Sequence, residues 1–424
     1  MTYQQTLAHI FSLGRFGMKP GLERIAPLLQ RLGNPQDAFA SVHVVGTNGK
    51  GSTASFLSAM LSCAGHRTGL FTSPHLISFT ERLRIDGAEI GEAAVPPLAE
   101  RVLAAAPPEA TFFEIVTALA LLYFAESGVR IAIVEAGMGG RLDATNVVDG
   151  ILTVVTPVSL DHCDYLGATI AEIAAEKAGI VKPESLVVSA RQHPDAAGAI
   201  AARAAEVGAE LLVEGTDFEG RWDGNVLNYR GLALQLDGLA PGLPGRYQAG
   251  NAACALAAAE ALSGRGFPVS AADLAAGTEQ ARWPGRMERF PGSPDIILDG
   301  AHNAAGAVAL AESLRAVPRG RLLLVVGVMA DKELSGILSP LLPLAAQVFA
   351  VAPALERALP AAELARYCRA VGFAAEDAGS VADGIARARA AAAPDDLILV
   401  AGSLFTVGEA RGILISRGVQ PFRG

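Results

Sequence analysis

The run Ser41-Val42-His43-Val44-Val45-Gly46-Thr47-Asn48-Gly49-Lys50-Gly51-Ser52-Thr53 decides how the rest of the chain is read. An apolar, β-branched stretch enters a glycine loop, and a helical stretch over 52–64 follows. That order gathers several backbone N–H groups at one point, with a lysine beside them. Glycine permits unusual φ angles there and removes the Cβ that would block a phosphate. The spelling departs from GxxxxGK[ST], because Val44 holds the place of the first glycine and Gly51 that of the Ser/Thr. A plain glycine-rich turn before a helix is the rival reading. The strand, the helix start and the lysine together favour nucleotide phosphate.

Outward from this loop, short β-branched runs alternate with alanine- and leucine-rich stretches. Strands are expected at 41–45, 67–71, 131–135, 151–155, 186–189, 296–299, 322–326, 348–351 and 397–401. Nearly all are continuously apolar, as strands covered by helices on both faces should be. Helices are expected at 113–127, 170–178, 248–263, 304–315, 360–370 and 381–391. The fold class is therefore α/β, with mainly parallel sheets joined by crossover helices. The alternation breaks at 226–229 and 232–236, which flank Arg230-Gly231 as a hairpin would. Soon after, residues 282–294 hold three prolines and two glycines, too many for a regular helix or an interior strand. We expect a large N-terminal domain over 1–283, a linker over 284–295 and a smaller α/β domain over 296–424.

Composition bounds the partners. The 424 residues are 51% hydrophobic and 18% charged, too apolar for a disordered chain and rich enough to bury a sizeable core. Lysine and arginine number 34 against 43 acidic residues, a net charge of −9, which argues against a general nucleic-acid or anionic-membrane binder. Cys63, Cys163, Cys254 and Cys368 form no CxxC pair, so neither a disulfide framework nor a cysteine zinc site is expected. The N-terminus lacks a signal pattern and charges interrupt every apolar run, so a soluble cytoplasmic enzyme is expected. A monomer is expected as well.

Several polar residues stand at strand ends, where ligands of open parallel sheets collect. Glu135 ends one apolar run, and Asp161-His162 follow another. A carboxylate and an imidazole there can hold Mg²⁺ against nucleotide phosphates, or can simply cap loops. Lys177 near a helix end reads by spacing alone as a solvated charge favoured by the helix dipole. Thr111-Phe112-Phe113-Glu114 reads either as a capped helix start or as aromatics and a carboxylate suited to a flat heterocycle. Asn303 after His302 fits a helix cap. Asp331-Lys332-Glu333, beyond another strand, are candidates for the second-domain lining.

GTNGKGS also resembles the phosphate loop of the Mur ligase superfamily, in its folylpolyglutamate synthase/dihydrofolate synthase branch. The further matches are Thr72-Ser73-Pro74-His75-Leu76, the segment from Glu135 to Asn146, Asp161-His162, Glu176-Lys177-Ala178-Gly179-Ile180 and Asp299-Gly300-Ala301-His302-Asn303. The resemblance implies a P-loop-type central domain followed by a Rossmann-like domain. It implies ATP contacts from Asn48, Gly49, Lys50, Gly51, Ser52, Asn251, Arg286 and Asp299. Magnesium would be bound by Ser73, Glu135 and His162, together with a carbamylated Lys177. The pteroate pocket would take Thr111, Phe112, Phe113 and Glu114 with Leu142, Asp143 and Ala144, and Gly21-Leu22-Glu23-Arg24 would lie near it. Lys50, Lys177 and His302 are the residues expected to act in catalysis.

The activity so implied is ATP-dependent ligation of L-glutamate to dihydropteroate, to reduced folates, or to both, through an acyl phosphate. Arg141-Leu142-Asp143-Ala144 resembles the form that does both. Folylpolyglutamate synthase alone, a P-loop ATPase or kinase of another kind, and a nucleotide-gated switch are the alternatives.

Overall fold

The structure, a computed structural model, describes residues 1–13 and 19–420. The first sheet has strands β1 (Ala40–Val45), β2 (Thr68–Phe71), β3 (Leu83–Ile85), β4 (Ala88–Glu89), β5 (Ile131–Glu135), β6 (Gly150–Val155), β7 (Leu186–Ser189) and β8 (Glu210–Val213). Their order is β4-β3-β2-β5-β1-β6-β7-β8. Strands β2, β5, β1, β6, β7 and β8 run parallel, while the β2–β3 and β3–β4 pairs at one edge are antiparallel. Strand β1 lies between β5 and β6, so connections leave it toward both sides. The crevice beyond its carboxyl end is the switch point where an open α/β sheet takes its ligand.

Both faces of this sheet are covered. Val42, Val44, Ile133 and Val154 pack under the helix Lys50–Cys63 through Phe56, Leu57 and Met60. On the other face Phe71, Ala132 and Val134 meet the helix Phe112–Glu126, and Val45 and Val155 meet the helix Ile170–Ala178. Each buried leucine or phenylalanine there contributes about 1.5–3 kcal/mol. The alanine-rich helix Gln248–Ser263 lies in the same core as the phosphate-loop helix. Gly277, on the helix Ala271–Gln280, comes so near that an added Cβ would stand 2.3 Å from Met60 Cα.

Strands β9 (Glu219–Asp223), β10 (Val226–Arg230) and β11 (Gln235–Leu239) form a small antiparallel sheet. The expected hairpin is there, but its second arm runs over 235–239 rather than 232–236, because the turn spans 231–234 and Arg230 pairs with Gln235. A third strand was hidden by the polar EGRWD spelling. The last sheet holds β12 (Glu288–Phe290), β13 (Asp295–Leu298), β14 (Leu322–Val326), β15 (Gln347–Ala352), β16 (Ala375–Ser380) and β17 (Leu397–Ala401). Its order is β12-β13-β17-β14-β15-β16, parallel except for β12. The stretch read as linker therefore includes a short edge strand. Its prolines are tolerated because they flank β12 at a sheet margin. No described helix is long and apolar enough to cross a membrane.

Candidate active site

The phosphate loop leaves β1 and enters its helix at Lys50, with Gly49 as N-cap at φ 89°. A side chain at Gly49 would be strained, and its Cβ would stand 2.3 Å from Asn251 Oδ1. Glycine thus lets Asn251 close over the loop. Lys50 Nζ donates to the carbonyls of Gly46 and Thr47, both at 3.3 Å. The loop borders a cavity of about 330 Å³. Asn48, Gly49, Lys50, Gly51, Ser52, Asn251, Arg286 and Asp299 all line it, as do Ser73, Glu135, His162, Lys177 and His302. Residues more than two hundred positions apart in sequence thus face one space.

Three ionisable groups there are shaped by burial. Glu135, at the end of β5, accepts from the Ser73 amide at 3.1 Å. Burial raises its pKa against the charges of Lys50, Arg286 and Arg82, so a cation beside it would relieve a real desolvation cost. Lys177 is 5% exposed, and its Nζ donates to the Gly46 carbonyl at 2.9 Å. It is no solvated helix-end charge: burial, then Lys50, push its pKa down to about 7. His162 stands in a left-handed conformation, φ 52°, at the start of the helical turn Cys163–Leu166. Burial lowers its pKa, with Asp161 opposing.

The magnesium test is one of donor chemistry. A buried carboxylate, a hydroxyl and an imidazole border the phosphate loop together, while no three His, Cys, Asp or Glu side chains among the described residues are placed to hold a metal ion by themselves. A closed protein cage would suit zinc; a sparse, oxygen-bearing set suits Mg²⁺, which keeps waters and phosphate oxygens in its shell. The residues fit the ion.

The second domain closes the cavity from the other side. Asp299, just past β13, accepts from Tyr247 Oη at 2.7 Å, Met287 N at 3.0 Å and Ala301 N at 2.9 Å. His302 Nδ1 lies 2.8 Å from the Gly300 carbonyl, and burial lowers the ring's pKa to about 4. Asn303 caps the helix Ala304–Arg315 and exchanges amide hydrogen bonds with Asn48, at 3.1 and 3.2 Å. Asp161 receives Lys332 Nζ at 2.6 Å and Asn303 Nδ2 at 3.0 Å. Burial acts to raise its carboxyl, yet these two bonds and the adjacent histidines hold it below the usual range.

The expected pteroate residues are not among the residues that line this cavity. Thr111 and Glu114 form a reciprocal capping box, and Glu114 Oε1 pairs with Arg24 Nε at 2.9 Å. Asp143 accepts from Met138 N at 2.8 Å and from Thr145 N at 2.9 Å, and caps the turn Ala144–Val147. The Leu142 carbonyl accepts from Gly21 N at 3.1 Å, which brings the N-terminal segment to this region. Phe113 packs on Gly137, a cavity residue, so the two regions adjoin. Sequence reading missed Tyr247, whose neighbour Gln248 opens an alanine helix, and Trp283, which stood in a run quoted only for its prolines.

A model of the Mur ligase middle domain matches residues 44–259, and one of the Mur ligase glutamate ligase domain matches residues 285–404. Together with the site between them, these define the class as a Mur ligase. The Escherichia coli dihydrofolate synthase/folylpolyglutamate synthase is 35% identical, over 94% of this chain and 92% of that protein. A Halobacterium salinarum relative, described as a probable bifunctional folylpolyglutamate synthase/dihydropteroate synthase, is 38% identical over 97% of this chain. The chain spans about half of that protein, 51%. A solved structure of E. coli FolC in complex with DHPP and ADP superposes with a TM-score of 0.89 at 32% identity, covering 97% of this chain and 98% of that one. The chain belongs to the folylpolyglutamate synthase/dihydrofolate synthase family.

Proposed function

We propose that the chain is an ATP-dependent ligase that joins L-glutamate to dihydropteroate and to reduced folates. The observation that carries the reading is the single cavity shared by Lys50, Glu135, Lys177, Asp299 and His302. In this reading the loop amides and Lys50 hold the ATP phosphates. A substrate carboxylate oxygen attacks the γ-phosphorus as the bond to the β-bridging oxygen breaks, giving an acyl phosphate and ADP. Ser73, Glu135, His162 and a carbamylated Lys177 would hold Mg²⁺, which would supply charge neutralisation at the phosphates. The glutamate amine then attacks the acyl carbon and phosphate leaves with the C–O electron pair. His302, with its Nδ1 proton on the Gly300 carbonyl, keeps Nε2 as an acceptor for the proton the amine loses. Asn251, Arg286 and Asp299 bring nucleotide contacts from both sides of the cleft, so closure assembles the site.

The test is ADP release with dihydropteroate or a tetrahydrofolate, with and without L-glutamate, and with product mass recorded. Glutamate-dependent ADP and a glutamylated product are expected. ADP release that ignores glutamate, or phosphate transferred to a hydroxyl acceptor, overturns the reading.

A further inference from the structure

Arg84 lies on β3, beside the strand that leads to Ser73, and lines the cavity with Pro74, Leu76 and Trp283. Its guanidinium carbon is 5.4 Å from the centre of the Trp283 ring. Trp283 in turn rests on the phosphate-loop helix, where a Cβ at Gly51 would come within 2.6 Å of the indole. The arginine is thus held by stacking next to that helix's first turn.

Its one ion pair among the described residues is long and leaves most of the fork unused. Its side chain is only 13% exposed, and Nε is buried with no hydrogen-bond partner among the described residues. The nearest carboxylate partner is Glu89, with Oε1 3.7 Å from Nη2 and a side chain 42% exposed. Glu81 borders the same space, but its carboxylate is taken by the amides of Leu76, Ile77 and Ser78 at 2.7–3.0 Å. Asp161 and Asp299 are likewise committed to protein donors. A guanidinium facing a ligand cavity with only a 3.7 Å pair to a half-exposed carboxylate, and with Nε unbonded, is matched by a planar anion that its fork can grip with two parallel hydrogen bonds.

We propose that Arg84, stacked on Trp283, anchors an α-carboxylate of a glutamyl unit. This rests on the ligase reading above. The loop amides and Lys50 already serve the phosphates, whereas ligation leaves an α-carboxylate unconsumed on each glutamyl-bearing reactant. Two sources share that chemistry: the incoming L-glutamate, and the terminal glutamyl group of an acceptor that already carries one.

The experiment measures KM for L-glutamate, tetrahydrofolate, dihydropteroate and ATP in the native chain, Arg84→Gln and Arg84→Lys, with melting temperatures. Loss of the charged fork should raise the affected KM about ten- to hundredfold, with partial recovery in Arg84→Lys. A rise in glutamate KM with either acceptor assigns the incoming amino acid. A rise for tetrahydrofolate, with dihydropteroate unchanged, assigns the acceptor's glutamyl group. Unchanged KM for both glutamyl-bearing reactants, a rise confined to ATP, or a uniform loss alongside a lowered melting temperature overturns the assignment. A native chain that ligates no glutamate to either acceptor defeats the ligase reading itself, a separate result.

Discussion

Lys177 places its Nζ 2.9 Å from the carbonyl oxygen of Gly46, the first glycine of the phosphate loop. With its pKa pushed to about 7 by burial and then by Lys50, a large share of this amine is neutral near pH 7. A neutral amine adds CO₂ and releases one proton, which turns the buried cation into an oxygen-bearing anion. Lys177→Ala should therefore lose about a hundredfold or more in turnover, the scale of a removed charge stabiliser, while its circular dichroism stays native. Labelled [¹³C]bicarbonate should give a carbamate carbon signal in the native chain and none in the variant. Full turnover by Lys177→Ala would end the carbamate assignment.

Lys50→Ala should abolish ADP release without unfolding the chain. Its ammonium donates to the loop carbonyls of Gly46 and Thr47, and the residue belongs to none of the apolar core clusters, so its removal costs charge at the phosphates rather than core contacts. Near-native turnover in a folded variant contradicts the loop assignment.

His43 predicts a pH dependence of stability. It sits in the middle of β1, fully buried, and its Nε2 is 2.8 Å from Thr145 Oγ1. Burial, helped by the Lys182 charge, lowers its pKa from 6.5 to about 3. Between those values the unfolded chain binds a proton that the folded chain does not. Stability must then fall as pH drops from 6.5 toward 3, by about 1.4 kcal/mol per pH unit for this one group. His302, lowered to about 4, adds a slope of the same sign. Urea melts of His43→Gln should show a pH slope shallower by about one proton's worth; an unchanged slope removes His43 from the account.

Gly277→Ala probes the helix crossing under the loop. Its Cβ would meet Met60 Cα at 2.3 Å and Met60 N at 2.5 Å, backbone atoms that cannot rotate away. The two helices must part, at a cost of about 1–3 kcal/mol. A melting temperature equal to the native one would show that the crossing yields freely.

The strands buried on both faces were legible in the sequence because apolar residues dominate them, with only a few buried polar exceptions such as His43 and Thr153. Leu186–Ser189, Leu322–Val326 and Leu397–Ala401 match their expected bounds, and Ile170–Ala178, Gln248–Ser263 and Ala304–Arg315 do so among helices. Edge strands were not legible. Ala375–Ser380 spells AEDAGS, half-exposed and polar, and pairs only because β15 offers it a free edge. In the site, loop and strand-end residues could be read from type and position. Lys177 could not: the spacing that suggests a helix-end charge says nothing of what covers it. Arg84 was equally silent, since only the fold brings Trp283, about two hundred positions on, against its guanidinium.

The paired amides of Asn48 and Asn303 bind a phosphate-loop residue to the cap of a second-domain helix. Nucleotide affinity and domain orientation are then linked quantities, and linkage is reciprocal. Whatever factor a filled loop lends to one orientation, that orientation returns to the nucleotide. A substitution in the second-domain sheet, remote from every phosphate contact, would thus register as a changed nucleotide dissociation constant, and the bound nucleotide becomes a gauge of the hinge.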